Sequence, residues 1–566
     1  MRTAFIFLVT FMAASMLHAQ IGPSIQWEKS LGGSDGDWSV TVQQTSDGGF
    51  IAGGSTRSND GDVSGLHPGY DYDYGYSYPS TDYWIVKMDP SGNIEWQKCL
   101  GGSFDEGASS MQQTSDGGYV IAGGSISNDG DVSGNHFNYD YYYGDTIFTE
   151  DYWIVKLNSN GDLEWQKSLG GAGYDEASSI QQTTDGGFIV AGISNSNDGD
   201  VSGNHGLGDY WIVKLSPAGN IVWQKSLGGT GDDWALSIKQ TAGGGYIVAG
   251  SSSSNDGDVT GHHGGGNYSD DWIVKLDSLG NLVWQKSLGG SNIEDARSIQ
   301  PTIDGGYIVA GYSNSTDGDV TGNHPHTYGS PSFDYWIVKL DTSGNIDWEK
   351  SLGGSDEDFG HSVQQTSDSG FAALGFSSSD DGDVAGFHGS RDYWITKLDI
   401  DGNIFWQKCL GGSNVEFGWA IQQSTNGGFI VAGSSSSNDG DVSGNHPDSF
   451  NITTSDYWIV KLSGDIPTGI PSSSNNFISI YPDPATTQLN LSIGIPMEQL
   501  TQPLAAFGRQ TGEAIVLNIL GEQMMKQTIS FQPYSTVLDI SALPAGTYII
   551  QLSTVQEVTI AKFVKE

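Results

Sequence analysis

A short phrase that recurs seven times constrains the fold of this chain more than any other feature. The phrase has the form W-[QE]-K-[SC]-L-G-G, and successive copies begin 58 to 69 residues apart. A period of this length, built from short β-like runs and Gly-rich turns, is typical of propeller-type repeat arrays. The seven copies begin at Trp27, Trp96, Trp165, Trp223, Trp284, Trp348 and Trp406.

One repeat, residues 177–229, contains four strand patterns and no helical period. Tight Gly-containing turns follow the first and third patterns, and a longer polar loop follows the second. Four antiparallel strands repeated seven times predict an all-β fold, a seven-bladed β-propeller spanning residues 20–463. A β-solenoid is the main alternative, but its coils are usually shorter and do not need these hairpin turns.

The phase of the repeat predicts how the ring closes. The first copy, Ile25 to Leu31, is a fourth strand with no preceding three, and the last repeat stops after its third strand at Leu462. We therefore expect the N-terminal strand to complete the last blade, which removes exposed strand edges.

The N-terminal sequence and the net charge predict where the protein is located and which partners it does not bind. Residues 1–19 have the positive start, the apolar stretch and the cleavage site of a secretory signal peptide. No later segment has about 18 uninterrupted apolar residues, so we expect no transmembrane segment in the mature chain. The net charge of −44 would repel a phosphate polymer, so we expect no nucleic-acid partner.

An Asp-Gly-Asp loop lies between the second and third strand patterns of every repeat. Two carboxylates around a Gly bend suit Ca²⁺, a hard cation that takes six to eight oxygen ligands. The alternative is that the carboxylates accept hydrogen bonds from nearby backbone N–H groups. The candidate calcium ligands are Asp60, Asp62, Asp129, Asp131, Asp198, Asp200, Asp256, Asp258, Asp317, Asp319, Asp381, Asp383, Asp439 and Asp441.

A histidine follows each of these loops, and we interpret it as structural because one His per repeat cannot complete a zinc site. Among the seven histidines of this pattern are His67, His136, His205, His324, His388 and His446.

Tyr-rich insertions distinguish the first two repeats from the others. Tyrosine combines rigid apolar area with a polar tip, which suits recognition of a glycan or a protein. The alternative is that these side chains only pack on the disc. The candidate ligand-binding residues are Tyr70, Tyr72, Tyr74, Tyr76, Tyr139, Tyr141, Tyr142 and Tyr143.

The variable acidic and tyrosine-bearing loops are expected on one face, because successive loops of a blade alternate between the two faces of a propeller. This favours a binding module for an extracellular glycan or protein. A secreted carbohydrate-active or other hydrolytic enzyme is the second hypothesis, because paired carboxylates perform glycosidase chemistry. The acid pairs recur almost blade by blade, which argues that they have a structural role. A single acid pair that is not repeated in the other blades would favour the enzyme. A structural envelope protein is the third hypothesis.

The composition changes after Leu462. Residues 464–476 are rich in Ser, Pro, Gly and Asn and are interpreted as a linker. Residues 477–566 contain seven short strand patterns, which predict a small β-sandwich.

Four motifs in this C-terminal region resemble a known family. Ile480 to Ala485, Val516 to Gly521, Asp539 to Tyr548 and Lys562 to Lys565 are similar to the type A sorting domain of the type IX secretion system of Bacteroidota. The resemblance implies the type IX machinery as a partner, export across both membranes, and release or attachment at the cell surface. Asp483 stands where the family usually has Asn, and 495–512 resembles an insertion. The repeats themselves resemble those of uncharacterised secreted proteins.

Overall fold

The computed structural model describes residues 22–464, apart from 74–75, 137–138, 143–144, 266–267, 326–331 and 448–453. In the C-terminal region it describes 477–481, 488–494, 510–518, 523–531, 535–544, 546–553 and 558–565. The predicted signal peptide and residues 465–476 of the predicted linker lie outside these ranges. Within them the chain forms strands and turns without a helix, and so offers no apolar helix of membrane-spanning length.

Seven four-stranded antiparallel sheets form a seven-bladed β-propeller, as predicted. The first strands are Asp37–Gln44, Glu106–Gln113, Asp175–Gln182, Asp233–Gln240, Glu294–Pro301, Asp358–Gln365 and Glu416–Gln423. The second strands are Phe50–Thr56, Tyr119–Ser125, Phe188–Ser194, Tyr246–Ser252, Tyr307–Ser313, Phe371–Ser377 and Phe429–Ser435.

The outer half of each blade contains the third and fourth strands. The third strands are Asp82–Met88, Asp151–Leu157, Asp209–Leu215, Asp270–Leu276, Asp334–Leu340, Asp392–Leu398 and Asp456–Leu462. The fourth strands of blades 1 to 6 are Ile94–Leu100, Leu163–Leu169, Ile221–Leu227, Leu282–Leu288, Ile346–Leu352 and Ile404–Leu410.

The third strands carry the core of the ring. Their sequence, close to Asp-Tyr-Trp-Ile-Val-Lys-Leu, is buried along nearly its whole length because a neighbouring blade covers each face. Each hydrophobic cluster therefore spans two blades: Ile51 and Ile85 of blade 1, for example, pack with Trp153 of blade 2. Burial of such aromatic and branched side chains is the main stabilising term for this fold.

The N-terminal strand closes the ring. Ile25–Leu31 pairs antiparallel with Asp456–Leu462, from Ile25 opposite Leu462 to Leu31 opposite Tyr457. The Trp458 indole N–H also donates to the Glu28 carboxylate at 3.1 Å. Blade 7 thus contains strands from both ends of the propeller, and the expectation from the repeat phase is confirmed.

The first strands lie innermost and contact one another in sequence around the axis. Each contains a bulge, as at Val40 between the paired residues Ser39 and Thr41. The first strands begin at the end of the ring that carries the inter-blade loops and the loops between second and third strands; we call this end the loop face. The opposite end, with the short hairpin turns, is the turn face.

The C-terminal region forms a separate compact unit of two sheets, in agreement with the predicted β-sandwich. One sheet contains Phe477–Tyr481, Gln488–Gly494 and Ser535–Asp539. The other contains Gln510–Asn518, Gln523–Phe531, Gly546–Ser553 and Val558–Lys565.

Removal of residues 21–33 should destabilise the whole propeller rather than one blade. The deletion leaves the third strand of blade 7 without its outer partner and uncovers apolar surface in the cluster around Trp458. We expect the melting temperature to fall by more than about 4 °C, because loss of a whole strand removes several times the roughly 1 kcal/mol that shifts even a domain of about 150–250 residues by about 2–4 °C. A chain lacking only residues 1–21 is the control, and an unchanged melting temperature for the longer deletion would contradict the role of this strand.

Candidate functional site

The Asp-Gly-Asp loops hold the inter-blade loops in place. In blade 1, Asp60 Oδ1 accepts the Ser34 N–H at 2.7 Å, and the Asp62 N–H donates to the Gly32 carbonyl at 2.8 Å. Gly61 has a φ of +63°, and a Cβ there would lie 2.4 Å from the same carbonyl, so only glycine fits.

The first aspartate of every pair accepts the same bond from an N–H that lies 26 positions earlier, in the inter-blade loop. The alternative to calcium expected a donor close to the aspartate in the chain, so these bonds do not confirm it. Among the described residues, no group of three or more His, Cys, Asp or Glu side chains is arranged to hold a metal ion. Calcium binding by these loops stays a prediction.

The loop histidines are structural, as interpreted from their number. His205 Nδ1 lies 2.6 Å from Asp209 Oδ2, and the His205 backbone N–H donates to the same oxygen at 3.0 Å. This hydrogen bond raises the pKa of His205. Every blade pairs a loop histidine with the aspartate that begins its third strand, at 2.6 to 2.9 Å: His67, His136, His205, His263, His324, His388 and His446.

The acid that begins each first strand is also structural. Glu106 is fully buried; its Oε2 accepts the Gly102 N–H at 2.8 Å, and its Oε1 accepts the Ser125 hydroxyl at 2.7 Å. Burial raises the pKa of Glu106 to about 8. These acids recur because each one binds the Gly-Gly pair that follows a fourth strand, such as Gly101-Gly102; we call this pair the Gly-Gly corner.

The Tyr-rich insertions form two short hairpins. Tyr70–Asp73 pairs with Tyr76–Pro79, and Tyr139–Tyr142 pairs with Asp145–Phe148. Six of the predicted ligand-binding tyrosines lie on these strands, whereas Tyr74 and Tyr143 are outside the described residues. A role for the tyrosines in binding stays a prediction.

Two positions of the innermost strands differ from blade to blade, although the surrounding repeat hardly changes. Because they lie near the start of the first strands, they surround the axis at the loop face; we call them the mouth residues. The residues at the second position are Trp38, Gly107, Glu176, Trp234, Asp295, Phe359 and Phe417. The residues at the bulge are Val40, Ser109, Ser178, Leu236, Arg297, His361 and Trp419.

Aromatic rings join the mouth residues of blades 6 and 7. Phe359 stacks on Phe376, with ring centroids 5.1 Å apart, and Phe376 contacts Phe417 edge-on at 5.0 Å. His361 stacks on Trp419 at 4.1 Å and an interplanar angle of 11°. Burial, followed by the charge of Arg297, lowers the pKa of His361 to about 3, so its imidazole is neutral.

The only arginines in residues 20–463 are Arg57, Arg297 and Arg391, and all three lie at this mouth. Each guanidinium lies over an aromatic ring, those of Trp38, Tyr312 and Phe376 respectively, at 5.0 to 5.5 Å. The Arg297 guanidinium also bonds to Asp295 at 2.7 Å, and that of Arg391 bonds to Glu357 at 3.1 Å. Arginine thus appears only where the repeat changes.

An acidic cluster that occurs in no other blade lies between blades 2 and 3. The Tyr174 hydroxyl donates to the Glu176 carboxylate, and Glu150 occupies the space where a Cβ on Gly124 would be. Burial raises the pKa of Glu150 well above its ordinary value, and the charge of Glu176 raises it further. Burial also raises the pKa of Glu176. The mouth therefore has one acidic side and one aromatic, arginine-bearing side.

Reasoning from the sequence missed these mouth residues because it followed what the repeats share. Trp234, Arg297 and Trp419 stand at positions where other repeats have residues such as Gly, Ser or Val. Variation concentrated at two positions of an otherwise similar strand was the available signal.

Comparison with known proteins identifies the C-terminal unit. Residues 479–566 match the model of the secretion system C-terminal sorting domain. This region is a type IX secretion sorting domain. The protein is therefore secreted or displayed at the cell surface of a member of the Bacteroidota, and its partners include the export machinery. No curated protein sequence matches the chain.

Solved structures resemble the chain only at a low level. Sqt1 from Chaetomium thermophilum is 10% identical, with a TM-score of 0.36 over 72% of this chain and 97% of that one. The Pan2 WD40 domain of Neurospora crassa is 12% identical, with a TM-score of 0.30 over 61% and 91%. The extracellular domain of a putative one-component system from B. thetaiotaomicron is 11% identical, with a TM-score of 0.20 over 93% and 81%. Similarities at this level carry no functional conclusion.

The buried first-strand acids should make the propeller less stable as the pH rises. Glutamate ionises at about pH 4.3 in an unfolded chain, whereas the pKa of Glu106 in the fold is about 8. Between these values the folded protein binds the additional proton, so stability decreases with increasing pH, by up to about 1.4 kcal/mol per pH unit for one group.

Urea unfolding between pH 5 and 8 measures this dependence. Glu106→Gln should flatten the slope while lowering stability overall, because the amide cannot replace both accepting oxygens. Asp401→Asn, in an exposed turn, should leave the slope unchanged. An equally steep slope for Glu106→Gln would show that the carboxyl does not carry the effect.

Proposed function

We propose that this secreted protein is a glycan-binding module, and that the mouth residues on its loop face form the binding site. The observation that carries the proposal is the concentration of blade-to-blade variation on the first strands at the two mouth positions. A purely structural ring has no need for five or six different residue types at one position, whereas a site for an asymmetric ligand does. This argues against the structural envelope hypothesis.

The chemistry of the mouth suits sugar rings. Trp234 is 37% exposed, and Trp38, Phe359, Phe417 and Trp419 are partly exposed, so aromatic faces are available for the apolar faces of sugars. Arg297, Asp295 and Tyr312 bond to one another within 2.9 Å, which fixes the donors and acceptors that hydroxyl groups would meet. Aromatic surfaces with a few fixed polar groups are typical of small-molecule sites.

Binding to an array of polysaccharides and oligosaccharides by the full-length protein tests the proposal. Trp234→Ala and Trp419→Ala should each weaken binding about tenfold, the effect of losing roughly 1.4 kcal/mol of aromatic contact. Trp419→Phe should retain most of the affinity. Running the array with Ca²⁺ and with a chelator tests at the same time whether the Asp-Gly-Asp loops bind calcium.

Ile303→Ala is the matched control, because Ile303 is 86% exposed on a hairpin turn at the opposite face. Affinity that falls equally in this variant, or that survives both tryptophan substitutions, would place the site elsewhere on the protein. In the second case the tyrosine hairpins would be the next region to substitute.

Glycoside hydrolysis is the second candidate, favoured by the unrepeated acids Glu150 and Glu176. Two carboxyl groups with raised pKa values beside an aromatic surface supply the components of acid–base catalysis. If the protein is an enzyme, Glu176→Gln should reduce the release of reducing sugar from the bound glycan at least about 100-fold.

Asp401→Asn should leave the hydrolytic rate unchanged, and each variant should keep the wild-type melting temperature within a few degrees. A wild-type protein that binds a glycan but releases no reducing sugar would overturn the enzymatic candidate and leave the binding function intact.

A further inference from the structure

A tyrosine links each blade to the next at six of the seven seams. Its hydroxyl donates at 2.8 to 3.0 Å to the carbonyl of the third-strand tryptophan in the following blade, and the two rings are 4.5 to 4.7 Å apart. The donors are Tyr83, Tyr152, Tyr210, Tyr335, Tyr393 and Tyr457.

Asp271 replaces this tyrosine between blades 4 and 5, the contact we call the 4/5 seam. Its side chain is 1% exposed, and neither carboxylate oxygen has a hydrogen-bond partner among the described residues. The seam thus lacks both the ring contact and the hydrogen bond to the Trp336 carbonyl. A buried carboxyl without partners is strongly destabilising when it is ionised.

The turn face of the same seam lacks a second kind of bond. At the other six seams, a glutamine at the end of a first strand accepts an N–H from the preceding blade's hairpin turn, at 2.8 to 2.9 Å. At the 4/5 seam this residue is Pro301, which has no accepting side chain. Lys239 of blade 4 correspondingly stands where the other six blades have glutamine.

The groups around Asp271 make its ionisation costly. Burial raises the pKa of Asp271 well above its ordinary value, and the charges of Glu294, Asp295 and Asp270 raise it further. Arg297 is paired with Asp295, and the buried His262 has its Nδ1 3.5 Å from Asp270 Oδ1. Burial raises the pKa of Tyr210 in the preceding seam, and the charges of Asp233 and Asp271 raise it further.

We propose that the 4/5 seam is the place at which the propeller ring opens, and that this opening becomes more frequent as the pH rises and Asp271 loses its proton. A neutral Asp271 can stay buried without a partner at a moderate cost, whereas an ionised Asp271 without a partner favours opening, because opening returns the charge to water. In the closed ring the seam is held by apolar packing of Ile273 with Ile299 and Trp336. Hydrogen bonds across it run from the Ile299 N–H to Ser237 Oγ at 3.2 Å, from the Glu294 N–H to the Ser269 carbonyl at 2.8 Å and from the Ser269 hydroxyl to the Glu294 carbonyl at 3.0 Å. The inference does not depend on the proposed function.

Hydrogen exchange of the full-length protein, resolved by peptide and corrected for the intrinsic pH dependence of exchange, tests the proposal. Third strands of blades 4 and 5 should exchange about tenfold faster at pH 8 than the equivalent strands of blades 6 and 7, and the difference should shrink at pH 5. Asp271→Tyr should remove it. Asp271→Asn keeps the size of the side chain without the charge, and it should remove the pH dependence even if the tyrosine variant folds poorly.

Tyr393→Asp is the matched variant, because it places the same residue at the contact between blades 6 and 7 and should transfer rapid exchange to that seam. Uniform exchange at all seven seams in the wild-type protein would overturn the proposal. The same conclusion would follow if Asp271→Asn left the pH dependence of the 4/5 strands unchanged.

Discussion

Every blade buries its third strand on both faces, and this single requirement governs the rest of the structure. A strand such as Asp392–Leu398 has no solvent face, so each blade needs a neighbour on either side. An open row of blades would leave two such strands half uncovered, with their tryptophans in water. Closure follows from this requirement, and the pairing of Ile25–Leu31 with Asp456–Leu462 provides it. The C-terminal unit has its own pair of sheets and serves a different purpose, since it marks the protein for export.

The propeller also buries ionisable groups. Two carboxyl groups per blade flank the Gly-Gly corner, one beginning a first strand and one beginning a third strand. Glycine is needed there because a Cβ on Gly101 would lie 2.4 Å from Glu106 and 2.6 Å from Asp82. The acidity of the chain is therefore partly internal. These carboxyl groups accept hydrogen bonds from histidine, serine and backbone N–H groups, and so hold the loops against the ends of the strands.

The sequence predicted the architecture well because architecture depends on what the repeats share. The period, the hairpin turns and the orphan fourth strand at Trp27 together define the number of blades and the closure. The histidine that follows every loop likewise indicated a structural role, which the His205–Asp209 pair confirms. The candidate site could not be predicted in the same way. Whether Trp234 or Arg297 faces the axis depends on strand order and on the bulge, and neither is visible in a repeat motif. The 4/5 seam was hidden for a related reason: Asp271 and Pro301 lie 30 positions apart, and only the fold brings both to one interface.

Closure of the ring by the N-terminal strand Ile25–Leu31 has a consequence for how the chain folds. Ser24 and Ser463, which bond to each other across the completed blade, are 439 positions apart. The first strand to be synthesised therefore has no partner until nearly all of the propeller has followed it. Until then it is a short, unpaired strand facing six near-copies of its eventual partner. Contacts between such distant parts of a chain form slowly. Because ring closure requires this long-range pairing, we expect it to be one of the slow steps of folding.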